Sequence, residues 1–446
     1  MAINVSILKE SNTNEPRVAA TPETIKKLTA LGCSVKMQKG AGEKAGFSDD
    51  AYKGAGAKLE TSLQDTLKAA QIILHVSAPD KSALKNYPSG AILIGLHAPF
   101  NNDDYLKALA DHKLIAFSME LVPRITRAQS MDVLSSQSNL AGYKSVLDAC
   151  EHYGRALPMM MTAAGTIPPA KVFVMGAGVA GLQAIATAKR LGAIVTATDV
   201  RPAAKEQVES LGGSFVAVED DEFKEAETAG GYAKEMSKDY QAKQAKLVEE
   251  HIAKQDIVIT TALIPGRPAP KLITEAMVKS MKTGSVIVDL AVENGGNCAL
   301  SKAGEIIEKD GVKIIGHKNV PGRLAADASS LYARNLLNLI NTLVDKESGK
   351  LSVNWEDDIV KGIALTKDGR IIHPHFKGSV QAEKKAAKTK QPVRKASTPK
   401  KPQTQSKTAA KKADTAKKVA PQSAEKSASK PKTKTASKKA PAKKQG

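Results

Sequence analysis

Lys171-Val172-Phe173-Val174-Met175-Gly176-Ala177-Gly178-Val179-Ala180-Gly181, continuing through LQAIATAKRLG (182–192) into AIVTATD (193–199), decides the fold. The apolar VFVM run reads as a short buried strand. The G-x-G-x-x-G that follows ends the strand and opens a helix, and AIVTATD reads as a second strand. Glycines at 176, 178 and 181 permit a tight turn, a close backbone approach to a pyrophosphate and close packing of helix on sheet. A helix start there offers unpaired N–H groups and the positive end of its dipole to phosphates. Asp199 ends the second strand 18 residues past Gly181, where a carboxylate bonds the ribose hydroxyls of NAD and repels the 2′-phosphate of NADP. Arg201, two residues on, could accommodate that 2′-phosphate, or else is a contact for the adenosine phosphates or a solvated charge; the carboxylate at the ribose position favours NAD. A glycine-rich turn by itself also serves packing. Strand, turn, helix and acid at these spacings point to a dinucleotide site, for NAD rather than NADP.

Outward from this unit, the first 140 residues alternate apolar runs with amphipathic stretches. Ala2–Leu8, Val35–Gln38, Ile72–Val76, Ala91–Leu96 and Leu114–Ser118 read as strands. Thr21-Pro22 caps and starts a helix that runs through Leu31 and is closed by Gly32. Beyond Asp199, Ile257–Thr261, Val286–Asp289 and Val312–Ile315 read as strands, and the Ala328–Asp345 helix is expected to pack back on the first half. The fold class is α/β, with two Rossmann-like, doubly wound parallel-sheet domains separated by a cleft. Residues 1–140 with 328–378 form the first domain. Residues 141–327 form the nucleotide domain, within which 219–250 reads as a mobile loop too polar for a core element. Residues 379–446 read as a disordered basic tail.

The net charge of +20 belongs to that tail: from Gln381 onward there are 21 Lys+Arg against three acids, leaving the rest near +2. A tail of this kind suits anionic lipid or nucleic acid, though no aromatic is interleaved for base stacking. Cys33, Cys150 and Cys298 lie far apart and form neither a disulfide framework nor a zinc motif. No metal site is expected. The N-terminus shows no secretory signal. Ala156–Ala188 is nearly uncharged but carries prolines and the turn glycines, so it reads as a loop, a buried strand and a helix start rather than a membrane span. A soluble protein is expected.

Together MGAGVAGLQAIATAKRLGAIVTATDVRPAAKEQVESLGG, the N-terminal KESNTNEPRVAATPETIKKL and VIVDLAVENGGNC resemble the alanine dehydrogenase/transhydrogenase family over about residues 1–378. Two features resemble its transhydrogenase side. The first is the loop Pro123–Asn139, in which the resemblance implies that Arg124, Gln129, Asp132 and Ser135 position the nicotinamide and its ribose, with Ser130 and Met131 beside them. The second is Gly230–Ser237, which resembles a loop that closes over the cofactor and would bring Gly231 and Tyr232 to it. The resemblance completes the cofactor contacts with Val174, Gly176, Gly178, Val179, Ala180, Gly181, Asp199, Val200, Arg201, Gln241, Ala262 and Leu263.

Departures from alanine dehydrogenase point the same way. Its substrate lysine falls at Ser77 and its catalytic aspartate at Glu293, while Arg17 and His97 are retained and read here as structural. The resemblance therefore implies the NAD(H)-binding component of a proton-translocating, Si/Re-specific transhydrogenase. Such a component is a homodimer, peripheral on the cytoplasmic face of the inner membrane, which passes hydride to NADP(H) bound on a partner subunit of a membrane-embedded complex. Hydride transfer abstracts no proton, so no catalytic acid or base is expected. Two alternatives are an alanine dehydrogenase-like oxidoreductase and nucleic-acid binding through the tail.

Overall fold

The computed structural model describes residues 2–100, 102–224, 236–264, 266–345 and 347–377. Gly231, Tyr232 and the basic tail lie outside the described residues.

Two open sheets carry the described chain. Strands β1 (Ile3–Ile7), β2 (Cys33–Gln38), β3 (Lys58–Glu60), β4 (Ile72–Leu74), β5 (Ile92–Gly95) and β6 (Ile115–Ser118) pair in parallel in the order β3-β2-β1-β4-β5-β6. Helix α1 (Pro22–Ala30) connects β1 to β2, with Thr21 as its N-cap and Pro22 in its first turn, as the sequence predicts. Helix α2 (Asp103–Asp111) connects β5 to β6. Helix α3 (Val133–His152) then leaves the first sheet and reaches the second.

A short hairpin follows, β7 (Met160–Thr162) with β8 (Gly165–Ile167), before β9 (Lys171–Met175). The hairpin lies where the sequence suggests only a loop. Met159 and Met161 are 59% and 77% exposed on it, so their apolar character does not mark core. From β9 the second sheet is built by helix α4 (Val179–Arg190), β10 (Ile194–Thr198), β11 (Ser214–Phe215), helix α5 (Lys238–Ile252), β12 (Ile257–Thr260), β13 (Val286–Asp289), β14 (Ile306–Lys309) and β15 (Val312–Ile315). Its order is β11-β10-β9-β12-β13-β15-β14, parallel except for β14.

Helix α5 corrects the expectation that 219–250 is too polar for a core element. Tyr240, Val248 and Ile252 are buried on it, and its polar residues take the opposite face. Helix α6 (Ala325–Leu343) returns to the first half, burying Tyr332, Leu336, Leu339, Ile340 and Leu343 in the same core as β1, β2 and β4. The closing segment adds β16 (Ala364–Lys367) and β17 (Arg370–Ile371) antiparallel at the β6 edge.

Both sheets are wound outward in two directions from a central pair, β1/β4 in the first and β9/β12 in the second. In open α/β sheets the crevice beyond the carboxyl ends of such a pair is where ligands bind. Cys33 and Cys298 are buried free thiols and Cys150 is half-buried. Among the described residues no helix is long and apolar enough to cross a membrane, and no group of His, Cys, Asp or Glu is arranged to hold a metal ion.

Candidate cofactor site

The turn Gly176–Gly181 sits at the β9/β12 switch point. Gly176 has φ +105°, a conformation that side-chain-bearing residues rarely adopt. Its carbonyl accepts a hydrogen bond from the Thr261 hydroxyl at 3.0 Å, tying the turn to the end of β12. Gly181 is demanded by packing, because a Cβ there would lie 1.8 Å from the Gly176 oxygen. Gly178 differs: it is the extended N-cap of α4, and a Cβ there would meet nothing within 4 Å. The protein's own packing gives no reason for that glycine, whereas a phosphate group brought against the backbone does. The first N–H groups of α4 have no side-chain cap at Gly178.

Asp199 reaches this turn. Its Oδ2 accepts from the Ala177 N–H at 2.7 Å, and its Oδ1 accepts from the Arg201 N–H at 2.9 Å. The Arg201 guanidinium closes on the same carboxylate through Nε at 2.9 Å and Nη2 at 3.0 Å. Arg201 is thus the ion-pair partner of the residue expected at the ribose. Val200 is exposed beside them. Across the crevice Ala262 is pinned by Asn297, which donates to its carbonyl at 2.9 Å and accepts from its N–H at 3.0 Å, leaving Leu263 and Ile264 exposed at the rim.

Three expected contacts sit differently from the rest. Val174 is fully buried, because a central strand covered on both faces turns neither set of side chains to a ligand. Met131 is buried in the first core. Gln241 spends its amide on the Met236 carbonyl at 2.8 Å, while Gln244, not foreseen, joins the end of β10 through the Thr198 hydroxyl at 3.1 Å. Helical spacing from the Ser237 cap could have signalled that choice. Nothing local in the sequence signals Asn297.

The second half of the site is the loop leading into α3. A short turn, Thr126–Met131, is followed by Asp132, which caps α3 by accepting from the Ser135 N–H at 2.9 Å and the Ser135 hydroxyl at 2.6 Å. Arg124, Gln129 and Ser130 are exposed along it. The loop and the glycine turn are joined by helix packing: a Cβ on Gly142 of α3 would lie 2.1 Å from the Ala180 oxygen of α4. Ser135 and Asp132 stand seven and ten residues before that contact, about 10–15 Å along the helix axis. The geometry joins Asp132 to Ser135 at the start of α3 and Asp199 to the Gly176–Gly181 turn at the start of α4.

Arg17 and His97 are both held by internal partners. The Arg17 guanidinium forks onto Glu15 at 2.7 Å through both Nε and Nη2, and Nη1 donates to Gln137 at 2.8 Å. Burial opposes ionisation of Glu15, yet the Arg17 hydrogen bonds outweigh it and hold the carboxyl below its usual range. Glu15 also accepts from Ser77 and Asn319, so Arg17 is committed to an internal carboxylate. Glu293 accepts from the Asn319 N–H. His97 is fully buried between the Tyr105 hydroxyl and the Leu93 carbonyl, and burial pushes its pKa well below normal. Glu10 is pushed up to about 7 by burial, against the N–H groups of Val76 and Ser77 that its carboxylate accepts.

The alanine dehydrogenase/PNT N-terminal domain profile matches residues 6–141 and the C-terminal domain profile matches residues 145–374. An NAD(P) transhydrogenase subunit alpha polypeptide of Rhodospirillum rubrum is 54% identical over 383 residues, covering 84% of this chain and 99% of that one. NAD(P) transhydrogenase subunit alpha of Cereibacter sphaeroides is 45% identical over 388 residues, covering 87% of this chain and 74% of that one. A solved transhydrogenase from Sinorhizobium meliloti shares 56% identity over 83% of this chain and all of that chain, with a TM-score of 0.76. An L-alanine dehydrogenase structure at 24% identity and TM-score 0.71 shares the fold. The chain belongs to the alanine dehydrogenase/PNT family, among its transhydrogenase alpha subunits.

Proposed function

We propose that the chain binds NAD(H) with its pyrophosphate at Gly176–Gly181, its adenosine ribose at Asp199 and its nicotinamide end at Arg124, Gln129, Asp132 and Ser135. The bound dinucleotide supplies a hydride, a proton with two electrons, that passes directly to NADP⁺ on a partner subunit. The chain's role is to hold one ring at a fixed place and exclude water, which needs orientation rather than an acid or base. Gly178 carries this reading: it is a glycine that folding does not require, at the switch point where a phosphate would approach. The Arg17–Glu15 fork favours transhydrogenation over amino-acid oxidation, because the guanidinium available for a substrate carboxylate is already filled.

Coupling to proton translocation would come from the membrane-embedded partner. The exposed Met159, Met160, Met161 and Ile167 of the β7–β8 hairpin support a homodimer, since grouped exposed apolar side chains mark association surfaces. The basic tail suits attraction to an anionic leaflet on the cytoplasmic face, with each lysine near the surface contributing about 1 kcal/mol. Salt-dependent retention of the full chain, but not of one ending at residue 377, on anionic vesicles supports the tether. Retention on duplex DNA alone would reject it.

The test of function is NADH titration of the purified chain, followed by hydride transfer to NADP⁺ with and without an NADP-binding partner subunit. NADH binding by the chain alone and transfer only with the partner are expected. Pyruvate- and ammonia-dependent NADH oxidation by the chain alone would overturn the reading.

A further inference from the structure

Helix α6 reaches the loop before α3 through two asparagines. The Ser130 carbonyl accepts from Nδ2 of Asn335 at 2.8 Å and from Nδ2 of Asn338 at 2.9 Å. Asn335 also accepts, on Oδ1, from the Ser136 hydroxyl at 2.8 Å. It is 8% exposed, among Tyr332, Leu336, Leu339 and Ile340 of the helix's apolar face. A polar group in such a place costs free energy unless it is bonded. Here both ends are bonded, one just before and one just after Asp132–Ser135, so a single buried side chain brackets that segment. Asn338 is half-buried and makes one of the two bonds to Ser130. The loop is held elsewhere by the Arg127–Asp357 fork, both bonds 2.7 Å, and by Gln137, which donates to the Ala328 carbonyl at the start of α6.

We propose that Asn335 is a positioning residue for hydride transfer, fixing the backbone from Ser130 to Ser136 so that Asp132 and Ser135 meet the nicotinamide end in one geometry. This rests on the cofactor reading above. The residue touches no reacting atom. It acts by fixing where the ring is held, and displacement of a reacting group by 1 Å can cost about 100-fold in rate. The Gly176–Gly181 turn, which carries the other half of the dinucleotide, is outside its reach.

Asn335→Asp in the full chain isolates the donor. The aspartate keeps the shape and the acceptor for Ser136 but sets a carboxylate oxygen against the Ser130 carbonyl. When protonated, it can donate again. Amide exchange across residues 126–132 should quicken about tenfold or more at neutral pH, as a local opening made easier. NADH affinity should stay within about threefold, the adenosine half being untouched. Transfer to NADP⁺ on the partner subunit should fall about 10- to 100-fold. The ratio of variant to wild-type rate should recover as pH is lowered. Asn335→Leu, of similar volume, should show the same loss without recovery.

Unchanged exchange in both variants would overturn the proposal. So would a loss of transfer matched by an equal loss of affinity and flat with pH. A wild-type chain without NADH affinity would instead reject the cofactor reading, and the exchange measurement would still decide whether Asn335 holds the loop.

Discussion

Gly178 and Gly181 stand three residues apart in the same turn, and replacing each by alanine separates binding from folding. Gly178 sits at φ −77°, ψ −168°, open to any residue, and a methyl there meets nothing within 4 Å. Stability of G178A should therefore change by no more than about 1 kcal/mol, a small N-cap loss offset by a stiffer unfolded chain. In the complex the methyl would crowd the phosphates. Overpacking costs about 1–3 kcal/mol, so Kd for NADH should rise about 5- to 150-fold. At NADH equal to 100 times the wild-type Kd, the ligand stabilises the wild type by about 2.7 kcal/mol, whereas a 30-fold weaker G178A would gain about 0.9 kcal/mol. G181A should behave oppositely. Its methyl would lie 1.8 Å from the Gly176 oxygen and 2.8 Å from the Gly176 carbon, backbone atoms that cannot rotate away. About 3 kcal/mol or more should be lost with no ligand present. Urea unfolding with and without NADH, together with NADH fluorescence titration, reads both quantities. A G178A chain that binds NADH as tightly as the wild type would refute the phosphate cradle.

Other consequences are as direct. Glu10, raised to about 7 from 4.5, contributes stability that is full below pH 4.5 and lost as pH rises to 7; His75, lowered by burial to about 4 from 6.5, contributes stability that is full above pH 6.5 and lost as pH falls to 4. Each amounts to about 3 kcal/mol and they oppose between pH 4.5 and 6.5, so Glu10→Gln should steepen acid destabilisation and His75→Leu should flatten it; identical pH profiles of unfolding midpoint would refute this. Glu15→Ala leaves buried Arg17 without its carboxylate and should cost about 3–5 kcal/mol in urea unfolding, with much of the loss recovered when Arg17 is also replaced by leucine. A fully stable Glu15→Ala would contradict the fork. Met161→Asp on the exposed hairpin should leave the melting of an isolated protomer unchanged and shift sedimentation towards monomer. An unshifted profile would remove the hairpin from the dimer contact.

Much of the fold was legible because its strands are uninterrupted apolar runs between turn residues. Ile72–Leu74, Val286–Asp289 and the VFVM segment are buried on both faces, and only parallel sheets covered by helices use such runs. The rule gave no sign of the hairpin near Met159–Ile167, where apolar residues cover no core, and the place of Val174 in the motif hid its place in the packing. The glycine turn and Asp199 were legible because their spacing is local. The pairing of Arg201 with Asp199 was within reach, being two residues apart, but either sign of contact suits that spacing. Asn335 on Ser130, Asp357 on Arg127 and Asn297 on Ala262 were not legible, since each joins segments that only the folded chain brings together.

Helix α3 runs unbroken from Val133 to His152, and the two family domains meet within it, between residues 141 and 145. Severing the chain at that seam would leave each fragment a stump of about ten residues, short of the roughly 12–15 needed for a helix to persist alone. The fragments would each bare an apolar stripe and lose the Gly142–Ala180 contact that sets α3 against α4. On the proposed placement of the dinucleotide, a functional cofactor half should therefore begin upstream of Asp132 and carry the entire rod, one rigid ruler set between its two ends.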